Sequence, residues 1–164
     1  MAEEGSKMED YDFEGGAAGA STTIPMDAGQ IRKGGYIVIK GRPCKVVSVT
    51  TSKTGKHGHA KANFVAIDIF NGKKLEDVVP TSHGTLVPNV SRQEYTLLDI
   101  GDDGFLSLMD PESGDQKEDL MLPDYPEDLA ASIQSQFDEG KSLVVTVLRA
   151  MDHEQIVAVK EDSS

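Results

Sequence analysis

Among 164 residues there is one cysteine, Cys44. A lone thiol excludes an internal disulfide and fits a reducing compartment. It also excludes zinc ribbons and most Cys-based clusters, which need several thiolates. Long apolar runs are missing as well. No stretch approaches the roughly 18 apolar residues of a membrane span. Met1 to Asp10 are polar and acidic, so no secretory signal or transit peptide is expected. Bases are scarce: Lys and Arg number 16 against 28 Asp and Glu, for a net charge of −12. As a bare sum this argues against a nucleic-acid partner, because polyanions repel acidic proteins. The 38% of hydrophobic residues suffice for a modest core. The length suits one domain of about 100–200 residues, or two small ones.

The sum hides three unlike parts. Residues 1–27 carry seven acids and one base, a net of −6. Residues 28–90 carry ten bases and three acids, a net of +7. Residues 91–164 carry five bases and eighteen acids, a net of −13. Charges are screened over about 8 Å at physiological salt. A basic segment of this size therefore presents its own field, the footprint of an interaction surface.

Residues 1–22 are rich in Glu, Asp, Gly and Ala and lack apolar periodicity, so they read as a disordered acidic tail. Residues 23–89 read as a small all-β unit of about five strands, a compact barrel. Its strand candidates are Tyr36 to Ile39, Lys45 to Thr51, Lys61 to Phe70 and Leu75 to Val79. Asn71-Gly72 predicts a tight hairpin turn, and Pro80 and Pro88 close the segment. Residues 90–164 offer strands at Tyr95 to Ile100, Phe105 to Met109, Leu143 to Ala150 and Gln155 to Lys160, with turns at Gly101 to Gly104 and Pro111 to Gly114. One helix stands among them. Pro126 suits its first turn, with Glu127 and Asp128 complementing the dipole. Leu129, Ile133 and Phe137 share a face, and Gly140 ends it. Strands with one interposed helix suit an OB-type barrel.

The informative stretch runs from Thr50 to Lys61. It holds three Lys, two His and two Gly, and no acid. Glycines let the chain reverse tightly, and nothing in Gly55 to Gly58 asks for burial. Lys56 is therefore expected at an exposed tip. Four chemistries compete for it. A phosphate-cradling P-loop needs a Gly where Thr50 stands, a Ser or Thr where His57 stands, and a helix afterwards. A metal site on His57 and His59, with His83 or Cys44, would sit among lysines with no carboxylate to orient the imidazoles. Nucleophilic catalysis at Ser52 or Lys56 lacks a nearby acid, the closest in sequence being Asp68. Contact with RNA fits best: Lys53, Lys56 and Lys61 would meet phosphates, and His57 and His59 would stack or donate hydrogen bonds.

The run Ser52-Lys53-Thr54-Gly55-Lys56-His57-Gly58-His59-Ala60-Lys61 resembles the signature loop of the eukaryotic translation initiation factor 5A family. The resemblance extends to Lys40-Gly41-Arg42-Pro43-Cys44-Lys45, Ile67-Asp68-Ile69-Phe70, Gly72-Lys73-Lys74, Val87-Pro88-Asn89 and Leu106-Ser107-Leu108, and covers roughly residues 23–160. It implies a mostly-β fold of two small barrels, Src-homology-3-like and then OB, similar to bacterial elongation factor P. It implies that Lys56 receives an aminobutyl group from spermidine through deoxyhypusine synthase, and that deoxyhypusine hydroxylase completes hypusine. No other cofactor and no metal is expected. Lys53, Thr54, Gly55, His57, Gly58, His59 and Lys61 would support docking of the modifying enzymes and RNA contact. Arg32, Lys33, Arg42 and Lys45 are candidates for a wider basic face.

The same resemblance implies a cytoplasmic protein that is not an enzyme. It would bind the ribosome and steady the peptidyl-site transfer RNA, aiding slow peptide-bond formation as at proline runs, with roles in elongation and termination. No membrane or DNA partner is expected. The alternative is a generic RNA-binding adaptor using unmodified lysines, and a third reading is an enzyme with a His-based loop site. The acidic OB unit has few aromatics, whereas strand-binding OB barrels combine a positive groove with stacking rings. It is expected not to bind single strands strongly by itself, but to meet ribosomal proteins or one basic-protein surface, or merely to space the loop.

Overall fold

The computed structural model describes residues 22–54 and 59–162. The acidic tail expected over residues 1–22 lies, apart from Thr22, outside the described residues. The chain divides into two compact units, Met1–Asn89 and Val90–Ser164. Both are curled antiparallel β structures, as the mostly-β two-barrel expectation requires.

The first unit opens with strand β1, Thr23–Asp27, and a 3-10 turn at Ala28–Gln30. Strands β2 (Tyr36–Ile39), β3 (Arg42–Thr54), β4 (His59–Asp68) and β5 (Lys74–Pro80) form one sheet in that order. Strand β6, Gly84–Pro88, returns to pair with β1, Thr23 opposite Pro88 and Asp27 opposite Gly84. β1 and β6 are additional to the sequence expectation. Each is only five residues long, and each finds its ladder partner at the far end of the unit, where no local pattern announces it. Lys40 and Gly41, between β2 and β3, both have positive φ (54° and 77°), the geometry of a two-residue hairpin loop.

Alternation on β4 sets the core. Ala62, Phe64, Ala66 and Asp68 face inward and are buried, while Asn63, Val65 and Ile67 between them are half-buried. Ile37, Ile39, Cys44 and Val46 meet them, with Met26, Val49, Leu75, Val79 and Val87 packed around. Asp68 is the one buried charged residue among the described residues. Its Oδ1 accepts the Phe70 N–H at 2.8 Å and the Asn71 N–H at 3.3 Å, and its Oδ2 lies 3.3 Å from the Arg42 guanidinium. The backbone joins in, because the Asp68 N–H donates to the Lys73 carbonyl and the Gly72 N–H donates to the Asp68 carbonyl. Asn71-Gly72 consequently sits in a five-residue connection between β4 and β5, where a tight two-residue turn was expected. The Asp68 carboxylate organises the wider loop and lets Phe70 tuck in at 2% exposure.

The second unit is a five-stranded sheet in the order β11-β10-β7-β8-β9. Its strands are β7 (Val90–Ile100), β8 (Phe105–Met109), β9 (Gln116–Met121), β10 (Leu143–Ala150) and β11 (His153–Glu161). Helix α1, Leu129–Asp138, covers the inner face. Leu129, Ile133 and Phe137 enter a core with Leu97, Leu106, Leu108, Leu120, Leu143, Val145, Val147 and Ile156. The helix starts later than expected. Asp128 has φ +76°, so helical geometry begins at Leu129, and Pro126, Glu127 and Asp128 all precede the first turn. At the other end Gly140, φ +84°, donates its N–H to the Phe137 carbonyl and terminates the helix as expected. Strand β9 is new to the structure: Gln116-Lys117-Glu118-Asp119 is too polar to announce a strand, and of its six residues only Leu120 is buried.

Removing the Asp68 carboxylate would orphan two loop N–H groups and a mostly buried guanidinium. Asp68→Ala is expected to cost about 3 kcal/mol in urea unfolding. Asp68→Asn should cost less, because the amide oxygen still accepts the Phe70 N–H. Equal losses in the two variants would contradict this assignment.

Candidate functional site on the β3–β4 hairpin

The hairpin of β3 and β4 is the longest in the first unit, thirteen and ten residues. Val and Thr favour the pleated chain along β3. Fully buried residues end at Val46 on β3 and Ala62 on β4, and Val49 is the last β3 residue packed against the core. Past that point the ladder continues, with Thr51 opposite Ala62, Ser52 opposite Lys61, Lys53 opposite Ala60 and Thr54 opposite His59. Thr50, Thr51, Ser52, Lys53 and Lys61 are all exposed. The hairpin thus runs on beyond its own core. One side is braced by β5, whose Pro80 pairs with Lys61, and by the Thr81 N–H, which donates to the Ala60 carbonyl at 3.0 Å. On the other side β2 pairs with β3 only from Arg42 to Lys45.

Gly55, Lys56, His57 and Gly58 lie outside the described residues, as do the side chains of Thr54 and His59. Of the remaining loop residues, Lys53 and Lys61 are brought onto neighbouring strands at adjacent register positions. Neither has a carboxylate at ion-pair distance among the described residues. The wider basic set is placed elsewhere. Lys45 is exposed on β3, and Arg32 and Lys33 are exposed on the loop whose Gly34 N–H donates to the Val46 carbonyl. Val46 and Lys53 are seven residues apart on one strand, about 20 Å. Arg42 is held against Asp68 and is part of the fold's interior bracing.

The other chemistries considered for the loop are weakened by position. Asp68 is nine residues along β4 from His59, about 30 Å, and its carboxylate is already engaged. It cannot orient a base at Ser52 or Lys56. Cys44 is fully buried, and burial together with the Asp68 charge pushes its thiol up to about 12. It stays protonated and is a poor metal ligand. His83 stands exposed in the turn between β5 and β6. Among the described residues no three His, Cys, Asp or Glu side chains gather as a metal centre requires.

A polar groove in the second unit escaped the sequence reading, because its parts come from β9, β10, the β10–β11 turn and the start of β11. Lys117 lies 2.6 Å from Glu154 and 3.1 Å from Asp119, and Arg149 lies 3.5 Å from Glu154. Asp152, 4.0 Å from Arg149, is a third acid there, so two bases face three acids and the groove keeps an excess of only one negative charge. His153 beside it is pushed down to about 4 by burial, against the pull of Glu154.

Two family models match the chain. One, described as translation initiation factor 5A-like, N-terminal, matches residues 21–83. The other, described as eukaryotic elongation factor 5A hypusine, DNA-binding OB fold, matches residues 89–160. The chain belongs to the translation initiation factor 5A family. Eukaryotic translation initiation factor 5A-2 of Solanum lycopersicum is 63% identical over 154 residues, covering 93% of this chain and 95% of that protein. Eukaryotic translation initiation factor 5A of Zea mays is 60% identical over 157 residues, covering 95% and 97%. A solved translation initiation factor eif-5a family protein from Naegleria fowleri ATCC 30863 superposes with a TM-score of 0.80 at 55% identity, covering 85% of this chain and 99% of that one. The family is one of translation factors. No helix among the described residues is long and apolar enough to cross a membrane.

Two measurements test these placements. Lys53→Ala with Lys61→Ala should elute from heparin at clearly lower salt than the parent, with stability changed by no more than about 0.5 kcal/mol because both side chains are exposed. For His153, the unfolded chain binds a proton between pH 6.5 and about 4 that the folded chain refuses. Stability should therefore fall as pH drops through that window, and His153→Gln should flatten the slope. An unchanged slope would place the acid sensitivity on other groups.

Proposed function

We propose that this chain is a ribosome-acting translation factor whose working group is a hypusine built on Lys56. The observation that carries the reading is the hairpin itself. Strands β3 and β4 extend past their core and lead into the run Thr54-Gly55-Lys56-His57-Gly58-His59, the family's signature sequence. A modifying enzyme has to take the lysine into its own active site, so the substrate lysine belongs on an extended arm. Deoxyhypusine synthase would transfer an aminobutyl group from spermidine to the Lys56 amine, and deoxyhypusine hydroxylase would complete the side chain. The product is longer than lysine and carries a further amine, so it reaches into phosphate-lined crevices closed to a barrel.

On this reading the protein is cytoplasmic and is not itself a catalyst. It orders the acceptor end of the peptidyl-site transfer RNA, so that a slow peptide bond, as at proline runs, forms on a better aligned substrate. It supports elongation and termination by the same means. Lys53 and Lys61 supply flanking phosphate contacts, and Thr54, Gly55, His57, Gly58 and His59 complete the enzyme-docking and RNA-facing stretch. Arg32, Lys33 and Lys45 form a separate and weaker basic area. The alternative, a generic RNA-binding adaptor, draws on the same loop lysines and needs no modification.

Lys56→Arg separates the two, since it keeps the charge and removes the modifiable amine. In cells depleted of their own family member, the variant should fold normally and fail to support a reporter containing a proline run. The peptide spanning Lys56, taken from native cells, should carry the mass of hypusine. A functional Lys56→Arg protein, or an unmodified lysine in growing cells, would favour the adaptor.

A further inference from the structure

The second unit carries an apolar feature that its core does not use. Phe105 on β8 and Met121 on β9 are direct cross-strand partners. They point away from the core, since their neighbours Leu106 and Leu120 form the next pair and are buried. Phe105 is 40% exposed and Met121 50%. Paired side chains of this kind have Cβ atoms about 5 Å apart, so the two make one surface. Met121 lies back toward the turn: a Cβ on Gly104 would stand 3.5 Å from its terminal methyl. One step along the sheet, bulges flank Ser107 on both sides. On β7 the register jumps between Leu97 and Asp99, so Leu98 and Asp99 together oppose Ser107. On β9 the jump leaves Glu118 and Asp119 facing the same residue. Leu98, 41% exposed, thereby lies one strand across and at least two residues along from Phe105, roughly 8 Å or more away, and extends the apolar strip.

The surround is acidic. Asp99, Glu118 and Asp119 occupy the neighbouring row, and Asp102 and Asp103 stand in the turn before Phe105, all exposed. The nearest cation, Lys117, is engaged by Glu154 and Asp119. Aromatic and Met side chains are enriched at the centres of protein interfaces, inside a polar rim. The ring decides between occupants. A nucleic acid or an anionic membrane would bring phosphates against four exposed carboxylates, Asp99, Asp102, Asp103 and Glu118, since Asp119 is paired with Lys117. A second copy docking through the same face would bring one ring against another.

We propose that the Leu98–Phe105–Met121 strip, with its carboxylate rim, is a docking site for a basic segment of another protein, one that places an aliphatic side chain on Phe105 and Met121 and its Lys and Arg on the rim. The site lies in the second unit and is independent of any modification at Lys56. It gives the acidic OB unit a partner of its own.

The test uses the full chain and a fluorescein-labelled peptide in which Lys and Arg residues flank a central Leu-Met pair. A matched peptide carries Ser-Ser at the centre. The Leu-Met peptide should bind at least tenfold tighter than the Ser-Ser peptide. Phe105→Thr with Met121→Thr, which keeps strand propensity, should abolish that tenfold difference while the thermal midpoint stays within a few degrees. A second variant, Asp99→Asn with Glu118→Gln, should leave the preference for Leu-Met intact and weaken the salt dependence of both peptides. Amide shifts should centre on residues 98–107 and 118–121. Equal binding of the two peptides, undiminished binding by the Thr variant, or shifts centred on another acidic stretch would overturn the proposal. So would concentration-dependent self-association in sedimentation that the Thr variant abolishes, because the occupant would then be a second copy.

Discussion

Asp68 is the point at which the first unit could most easily fail. A carboxylate at 0% exposure is costly unless every lone pair is met. Here the Arg42 guanidinium and two loop N–H groups meet it, and the backbone of the same residue closes the connection to β5. Arg42 opens β3 and Asp68 ends β4, so this one contact fixes the base of the hairpin. Cys44 lies opposite Asp68 in the ladder and responds to the same charge, its thiol held in the protonated form. With the base anchored, the register Cys44–Asp68 propagates through one bulge to Thr54–His59. The far end of the hairpin is aimed by what happens at the near end.

That division of labour explains why the basic residues of the first unit do different things. Arg42 is interior bracing. Lys53 and Lys61 extend beyond the core and carry charge to solvent without a carboxylate near them among the described residues. Composition counts all three equally, and only burial separates them. The second unit shows the converse. Its acids include a largely paired network around Lys117 and Glu154 and an exposed rim around Phe105, and the rim has the larger field to offer a partner.

Much of the fold was legible because its strands carry their own signature. Tyr36 to Ile39, Phe105 to Met109 and Leu143 to Ala150 have the same bounds in sequence and structure, since apolar and β-branched residues run through them. β1, β6 and β9 were not legible. β1 and β6 are strands because each completes the other across some sixty residues, and β9 is a polar edge that needs a single buried Leu. The helix face was readable from Leu129, Ile133 and Phe137, while its start turned on the backbone of Asp128, which composition does not encode. At the candidate site the residues were plain in the sequence, but not the reach of the hairpin. Ser52 and Lys53 have little strand preference of their own and are held in the ladder by their partners on β4.

The closing pair β1–β6 has a mechanical side. Thr23 sits opposite Pro88, and the Asn89 N–H donates to the Thr22 carbonyl, so the chain enters and leaves the first unit at one corner. A pull applied between the residues before Thr22 and those after Asn89 would load the β1–β6 ladder at one end and open it bond by bond, as a zipper, rather than shear all its bonds at once. The β3–β4 hairpin lies outside that line of force. Tension along the chain would reach the lysine arm only after the corner had given way.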